Sequence, residues 1–386
     1  SRGLGDVYKR QVQVRTDRTV NFNWIFALPH PELDANCFSV AWTGSVIMPK
    51  TMDGCIGLST QDSMRLYVDD KLLIDGWGKD KSADQALDFH FEAGRTYKIR
   101  IEFVNDRRGA RVIFGYSAGW ENFPAAVEAA RKADVAILCM GDNEETSGEN
   151  FDRTDLNLPG RQLELVQAVY ATGTPVVLVL QSGRPVTANW ENDHLPAILE
   201  AWFPGEQGGT AIAKTLFGDA APGGRLPITF PRSVGQIPCH YSRRPGGGKR
   251  YVEMDWLPLY PFGYGLTYTT FAYRDMALSR SVIDPQDTVT VSVTVTNTGK
   301  YTGDAVPQLY VRDMFSSVVK PERQLAAFRR LTLAPGESRR VELTVGPKQL
   351  RTLGPDYVWR VEPGKFELQL GDNAENILLR ADLTVE

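Results

Sequence analysis

Apolar and polar residues alternate along this chain in three different rhythms. From Phe22 to Gly119 the period is two: residues 37–44, 65–69 and 96–103 put an apolar side chain at every second position, which predicts half-buried strands. Asp53-Gly54, Asp69-Asp70 and Ala93-Gly94 lie between them as turn signals, and many short strands at this spacing predict a β-sandwich. Near Trp120 the rhythm changes. Residues 121–133 predict a helix with Pro124 near its start, where a missing N–H costs little. Residues 133–140, 175–180 and 197–202 are short apolar runs, and helical patterns cover 161–171 and 208–217. Buried strands alternating with helices predict an open, mainly parallel sheet with helices on both faces. Residues 218–270, rich in Pro and Gly, read as a long connecting segment. Period two returns from Phe271, most clearly over 288–296, with turns at 297–299, 335–337 and 363–365, and predicts an immunoglobulin-like sandwich. The expected fold class is therefore multidomain: a β-sandwich over 22–119, an α/β sheet over 120–270 and a second β-sandwich over 271–386. Residues 1–21 form no domain and read as a leader or truncated edge.

Composition narrows the picture. The chain has 386 residues, 42% hydrophobic and 23% charged, enough for two or three domains with cores of their own. A formal net charge of −4 gives no reason to expect nucleic acid or an anionic membrane as partner. No apolar run approaches the roughly 20 residues that a spanning helix needs. Ser1 to Gln11 carries no signal-peptide pattern and no initiator Met, so a foreign or truncated leader is expected there. The four cysteines form neither a disulfide framework nor a zinc spacing. Cys37 and Cys55 are the pair to consider across a sandwich, and Cys139 is expected to pack as a small hydrophobe in a buried strand. The four histidines show no ligand spacing, so neither metal nor cofactor is expected.

The candidate chemistry lies between 141 and 153. Six carboxylates (Asp142, Glu144, Glu145, Glu149, Asp152 and Asp155) crowd a loop that leaves a predicted strand. Ligands of open α/β sheets bind at the carboxyl ends of strands, where a catalytic acid belongs. Gly148, beside Glu149, permits a φ > 0 conformation that would aim its neighbour. On pattern alone, an acidic surface loop is as well explained as a solvated turn.

These residues resemble glycoside hydrolase family 3. The run Glu149-Asn150-Phe151-Asp152-Arg153, followed by Asp155-Leu156-Asn157-Leu158-Pro159-Gly160, is similar to that family's acid/base loop. Residues 222–231 and 260–268 (PGGRLPITFP and YPFGYGLTY) resemble two further signatures of its second domain. Lys320-Pro321-Glu322-Arg323-Gln324-Leu325 and Leu333-Ala334-Pro335-Gly336-Glu337 look like its fibronectin type III-like tail. The first segment, with Trp42-Thr43-Gly44 and residues 65–75, resembles the protective-antigen-type sandwich often inserted there, although Gln61-Asp62-Ser63-Met64 weakens any expectation of calcium. The resemblance implies the carboxyl-terminal part of a retaining, exo-acting β-glycosidase, a β-glucosidase first and a β-xylosidase next. It would act on the terminal sugar of a β-linked oligosaccharide or β-glycoside. Glu149 would be the general acid/base, and the nucleophilic Asp would come from an N-terminal barrel of the same parent chain, which this sequence lacks. The resemblance also implies a secreted or periplasmic parent and leaves a homodimer to be tested.

Other residues carry two readings each. Asp152 and Arg153 either touch sugar hydroxyls or brace their own loop through charge-assisted hydrogen bonds. Glu144 and Glu145 read as solvated, and Asp155 as a turn cap. Trp77, between Gly76 and Gly78, is the sugar-stacking candidate, whereas Trp42 and Trp202 fall in apolar strand patterns and are expected in the core. The basic residues Arg243, Arg244, Lys249 and Arg250 receive no role. The rival function is a non-catalytic, carbohydrate-binding fragment that uses the first sandwich.

Overall fold

The computed structural model describes residues 12–24, 28–34, 37–60, 62–78, 83–105, 110–117, 123–144, 146–246 and 250–386. The leader at 1–11, Gln61, Trp120, the start of the helix expected from 121, Glu145 and Lys249 lie outside the described residues. The chain divides into two compact units, Ser1–Pro124 and Ala125–Glu386.

The first unit is all β. Its strands are β1 (Asn21–Asn23), β2 (Phe38–Ile47), β3 (Met52–Thr60), β4 (Ser63–Val68), β5 (Lys71–Asp75), β6 (Ala83–Phe91), β7 (Thr96–Asn105) and β8 (Arg111–Ser117). They form two four-stranded sheets, ordered β1-β8-β3-β6 and β2-β7-β4-β5. Register sets Val40 opposite Phe103 and Trp42 opposite Ile101, so the period-two residues of neighbouring strands share a face. Ile56, Leu58 and Phe91 from one sheet meet Met64, Leu66, Ile99 and Ile101 from the other in one core, which is sandwich packing. Trp42 stacks on Phe22 at 5.8 Å and on Trp24 at 6.1 Å. Cys37 and Cys55 are free thiols, and no bridge joins them.

The second unit begins with α1 (Pro124–Arg131), β9 (Ala136–Gly141), α2 (Gln162–Tyr170), β10 (Val176–Gln181), α3 (Asn189–His194), β11 (Ala197–Glu200) and α4 (Gly208–Leu216). The three strands form a parallel sheet ordered β11-β10-β9. Central β10 is buried along both faces, with Val176, Leu178, Val179 and Leu180 at 2% exposure or less. Edge strand β9 differs from the expectation of a fully covered sheet. Ala136, Leu138 and Met140 join the core, but Ile137 is 44% exposed. Cys139, expected to be buried, is exposed as well. Ile137 and Cys139 share one face of β9, two residues apart, and both are exposed there. α3 was not anticipated: its sequence, NWENDH, has no apolar periodicity.

Residues 218–270 are largely irregular and link the sheet to the last sandwich. Leu226 N donates to Tyr264 O at 2.8 Å, and Gly263 N to Leu226 O at 2.8 Å. The two signature runs at 222–231 and 260–268 therefore fasten to each other. Buried Gln308 ties them onward, its amide donating to Gly263 O at 3.0 Å and to Asp372 O at 2.6 Å.

The closing sandwich comprises β12 (Phe271–Leu278), β13 (Val282–Ile283), β14 (Val289–Asn297), β15 (Gly303–Ala305), β16 (Gln308–Asp313), β17 (Gln324–Phe328), β18 (Leu331–Leu333) and β19 (Ser338–Val345). The short helix α5 (Pro347–Leu350) follows, then β20 (Thr352–Leu353), β21 (Trp359–Arg360), β22 (Gly364–Gly371) and β23 (Ile377–Val385). Sheets β12-β14-β19 and β13-β23-β22-β16-β17 face each other across Val289, Val291, Val293, Leu343, Leu309, Phe366 and Leu368.

Candidate active site

The acidic loop leaves β9 through a backbone turn that only glycine permits. Gly141 has φ +139°, and a Cβ there would run into the Gln181 carbonyl. The Gln162 side chain holds this peptide from both sides, accepting from Gly141 N at 2.7 Å and donating to its carbonyl at 2.8 Å. Asp142 follows, and its N–H continues the sheet by donating to Gln181 O at 2.9 Å.

Asp142 anchors everything after it. Only 1% of its side chain is exposed, so its charge must be met inside the protein. One carboxylate oxygen accepts from Arg153 at 3.0 Å and from the Thr146 hydroxyl at 2.9 Å. The other accepts from Ser182 Oγ at 2.8 Å, with Arg184 Nε 3.7 Å away. Arg153 reaches on to Asn157 O at 2.6 Å, and Arg184 to Phe151 O and Ser147 Oγ at 3.4 Å. Two guanidinium groups thus pin the loop across the ends of β9 and β10, Arg153 through a charge-assisted hydrogen bond to Asp142 and Arg184 through a longer ion pair.

Glu149 sits in the turn between these pins. Phe151 N donates to Gly148 O at 3.2 Å. The left-handed residue is Asn150, φ +65°, and not Gly148 as the sequence suggested. Asn tolerates that conformation through local hydrogen bonding, while Gly148 makes room for the Phe151 ring, 3.1 Å from where a Cβ would stand. Glu149 and Asp152 are exposed, and neither has a hydrogen-bond partner among the described residues. Asp155 accepts from Asn157 N at 2.9 Å and closes a local turn. Phe203 and Ser147 both crowd Gly183, 2.7 Å and 3.2 Å from where its Cβ would stand. Loops after all three parallel strands therefore converge here.

Glu200 ends β11, and burial pushes its carboxyl up to about 7, against a hydrogen bond from Trp202 N at 2.9 Å. Its second oxygen is buried with no partner among the described residues. Trp77 belongs to the first unit and is half-buried, with the Arg65 guanidinium 4.6 Å over its ring. Asp142 was grouped with the other carboxylates of the loop, and three more residues that build it, Gln162, Ser182 and Arg184, were not singled out from sequence. For Asp142 and Ser182 the available signal was a polar residue just past the carboxyl end of an apolar run.

Residues 31–268 match the family described as Glycosyl hydrolase family 3 C-terminal domain, and 305–374 match the Fibronectin type III-like domain. A beta-xylosidase of Formosa agariphila is 45% identical over 302 residues, covering 75% of this chain and 42% of its own length. A periplasmic beta-glucosidase of Salmonella typhimurium is 42% identical over 263 residues, covering 65% and 34%. The crystal structure of a beta-glucosidase from Kluyveromyces marxianus in complex with glucose superposes with TM-score 0.75 at 28% identity, covering 95% of this chain and 47% of that one. The chain thus spans half or less of each of these relatives.

Proposed function

The chain belongs to glycosyl hydrolase family 3, and from that membership we propose that it supplies the general acid/base, Glu149, of a retaining, exo-acting β-glycosidase. The observation that carries this reading is the brace: Asp142, Arg153 and Arg184 hold a loop rigidly at the carboxyl ends of parallel strands and leave the Glu149 carboxyl unspent at its turn. Retaining hydrolysis needs two carboxyl groups about 5–5.5 Å apart. One attacks the anomeric carbon as the glycosidic bond breaks, and the leaving oxygen takes the proton from Glu149. Glu149, now a carboxylate, then removes a proton from the water that releases the sugar. The relatives' unmatched length has room for the opposing wall, and we assign the nucleophilic Asp to a barrel there. Asp152, exposed three residues on, is the proposed ligand for sugar hydroxyls. Arg153 contributes through the brace, and Trp77 is a lesser candidate because Arg65 already lies over its ring. The names of the relatives favour a terminal β-linked glucose or xylose as substrate, and the periplasmic relative favours a parent outside the cytoplasm.

In the parent enzyme, Glu149→Ala should slow alkyl β-glycosides about 10²–10⁴-fold and activated aryl ones only at the step that releases the sugar, where azide restores turnover as a β-glycosyl azide. Unchanged rates on both substrates remove Glu149 from the mechanism. The 386-residue chain by itself should not turn over nitrophenyl β-glucoside or β-xyloside, and robust hydrolysis would show that it holds its own nucleophile.

A further inference from the structure

Arg243 and Arg244, from the basic stretch that the glycosidase reading leaves without a role, line a cavity of about 440 Å³ in the second unit, a size typical of small-ligand sites. Its walls are held in place before any ligand arrives. Gln236 accepts from Arg232 N at 2.6 Å and donates to Trp256 O at 3.0 Å. The Tyr251 hydroxyl donates to Gly235 O at 2.7 Å. Tyr241 stacks on Phe262 at 4.3 Å while its hydroxyl accepts from Leu325 N at 3.2 Å. Arg243 lies 4.5 Å over the Trp256 ring and is neutralised by Glu322 at 3.2 Å and Glu375 at 2.7 Å. His240, Ser242 and Arg244 also line the cavity, and none has a hydrogen-bond or ion-pair partner among the described residues. Aromatic surface, free hydroxyl and imidazole groups and one uncommitted guanidinium therefore meet around a single space.

We propose that this cavity binds a uronic-acid-type sugar, a pyranose bearing one carboxylate. The planar fork of Arg244 matches a carboxylate, and the exposed part of the Trp256 indole, 41% of the residue, offers an apolar surface with a polar edge to a sugar ring beside the Arg243 that covers one face. His240 and Ser242 are left for its hydroxyls. A single charge is read here, because Arg243, Glu322 and Glu375 are spent on one another and Arg244 is left to meet the anion. None of these residues belongs to the acidic loop, so the site stands whether or not Glu149 is the catalytic acid.

The test is titration of the full chain with D-glucuronate, D-glucose and inorganic phosphate, followed by calorimetry or saturation-transfer NMR. Glucuronate should bind, and glucose about 10- to 100-fold more weakly, the loss of one charge-assisted contact. Arg244→Gln should bring glucuronate down to the level of glucose without moving the melting temperature, since this exposed side chain holds nothing. Trp256→Ala should weaken both sugars. No glucuronate binding, equal binding of glucose, or indifference to Arg244→Gln overturns the proposal. Tighter binding of phosphate than of glucuronate also overturns it, by showing a simple anion site.

Discussion

Of the five described carboxylates between positions 142 and 155, only Asp142 is drawn inside, with 1% of its side chain exposed. It accepts from Arg153, Thr146 and Ser182, so removing it strands a guanidinium that is only 16% exposed. Asp142→Ala should cost about 3–5 kcal/mol, seen as a lower melting temperature and as protease cleavage within 143–152. A variant that melts with the wild type would show that the brace holds nothing. Sequence pattern identified the acid-rich loop but could not rank its members. What separates Asp142 from Glu149 is partners at Arg153 and Ser182, brought close only when β9 and β10 pair. The same holds for the turn. Gly148 was the local expectation for φ > 0, yet Asn150 takes it, because the Phe151 ring needs the space beside the glycine.

At the scale of elements, apolar runs located β9, β10 and β11 within a few residues, since a buried parallel strand is nearly all apolar. Neighbour relations were not written in the runs: β10 is central and β9 lies at the edge, and on β9 Cys139 is exposed rather than packed. The end of β11 makes a pH prediction. Burial raises the Glu200 carboxyl from 4.5 to about 7. Between those values the folded protein keeps a proton that the unfolded chain has lost, so this group's contribution to stability falls as pH rises and levels off above about 7. Glu200→Gln preserves the acceptor for Trp202 N and cannot ionise. It should add about 3 kcal/mol near pH 8 and nothing near pH 4. Thermal melts across that range check it, and parallel curves for the two proteins would refute it.

The whole molecule divides at Pro124 into units that each bury a core of their own: Ile56, Leu66 and Ile101 in the first, Leu178, Val293 and Leu368 in the second. Pieces cut at this point should each melt cooperatively, as domains with complete cores do. A non-cooperative, dye-binding melt for either piece would show that its core is incomplete. In the second unit the connecting segment 218–270 is fastened to the closing sandwich by Gln308, which reaches Gly263 and Asp372, and by Arg243 between Glu322 and Glu375. These links connect residues far apart in the chain, and no periodicity announces them. Element types, their order and the acidic loop at a strand end were determined by the sequence alone, because period, turn residues and charge act over a few neighbouring positions. Which carboxylate is buried, which strand lies at an edge and which basic residues share a cavity were decided only by the tertiary structure. Each depends on a partner that chain folding, rather than chain order, brings within reach.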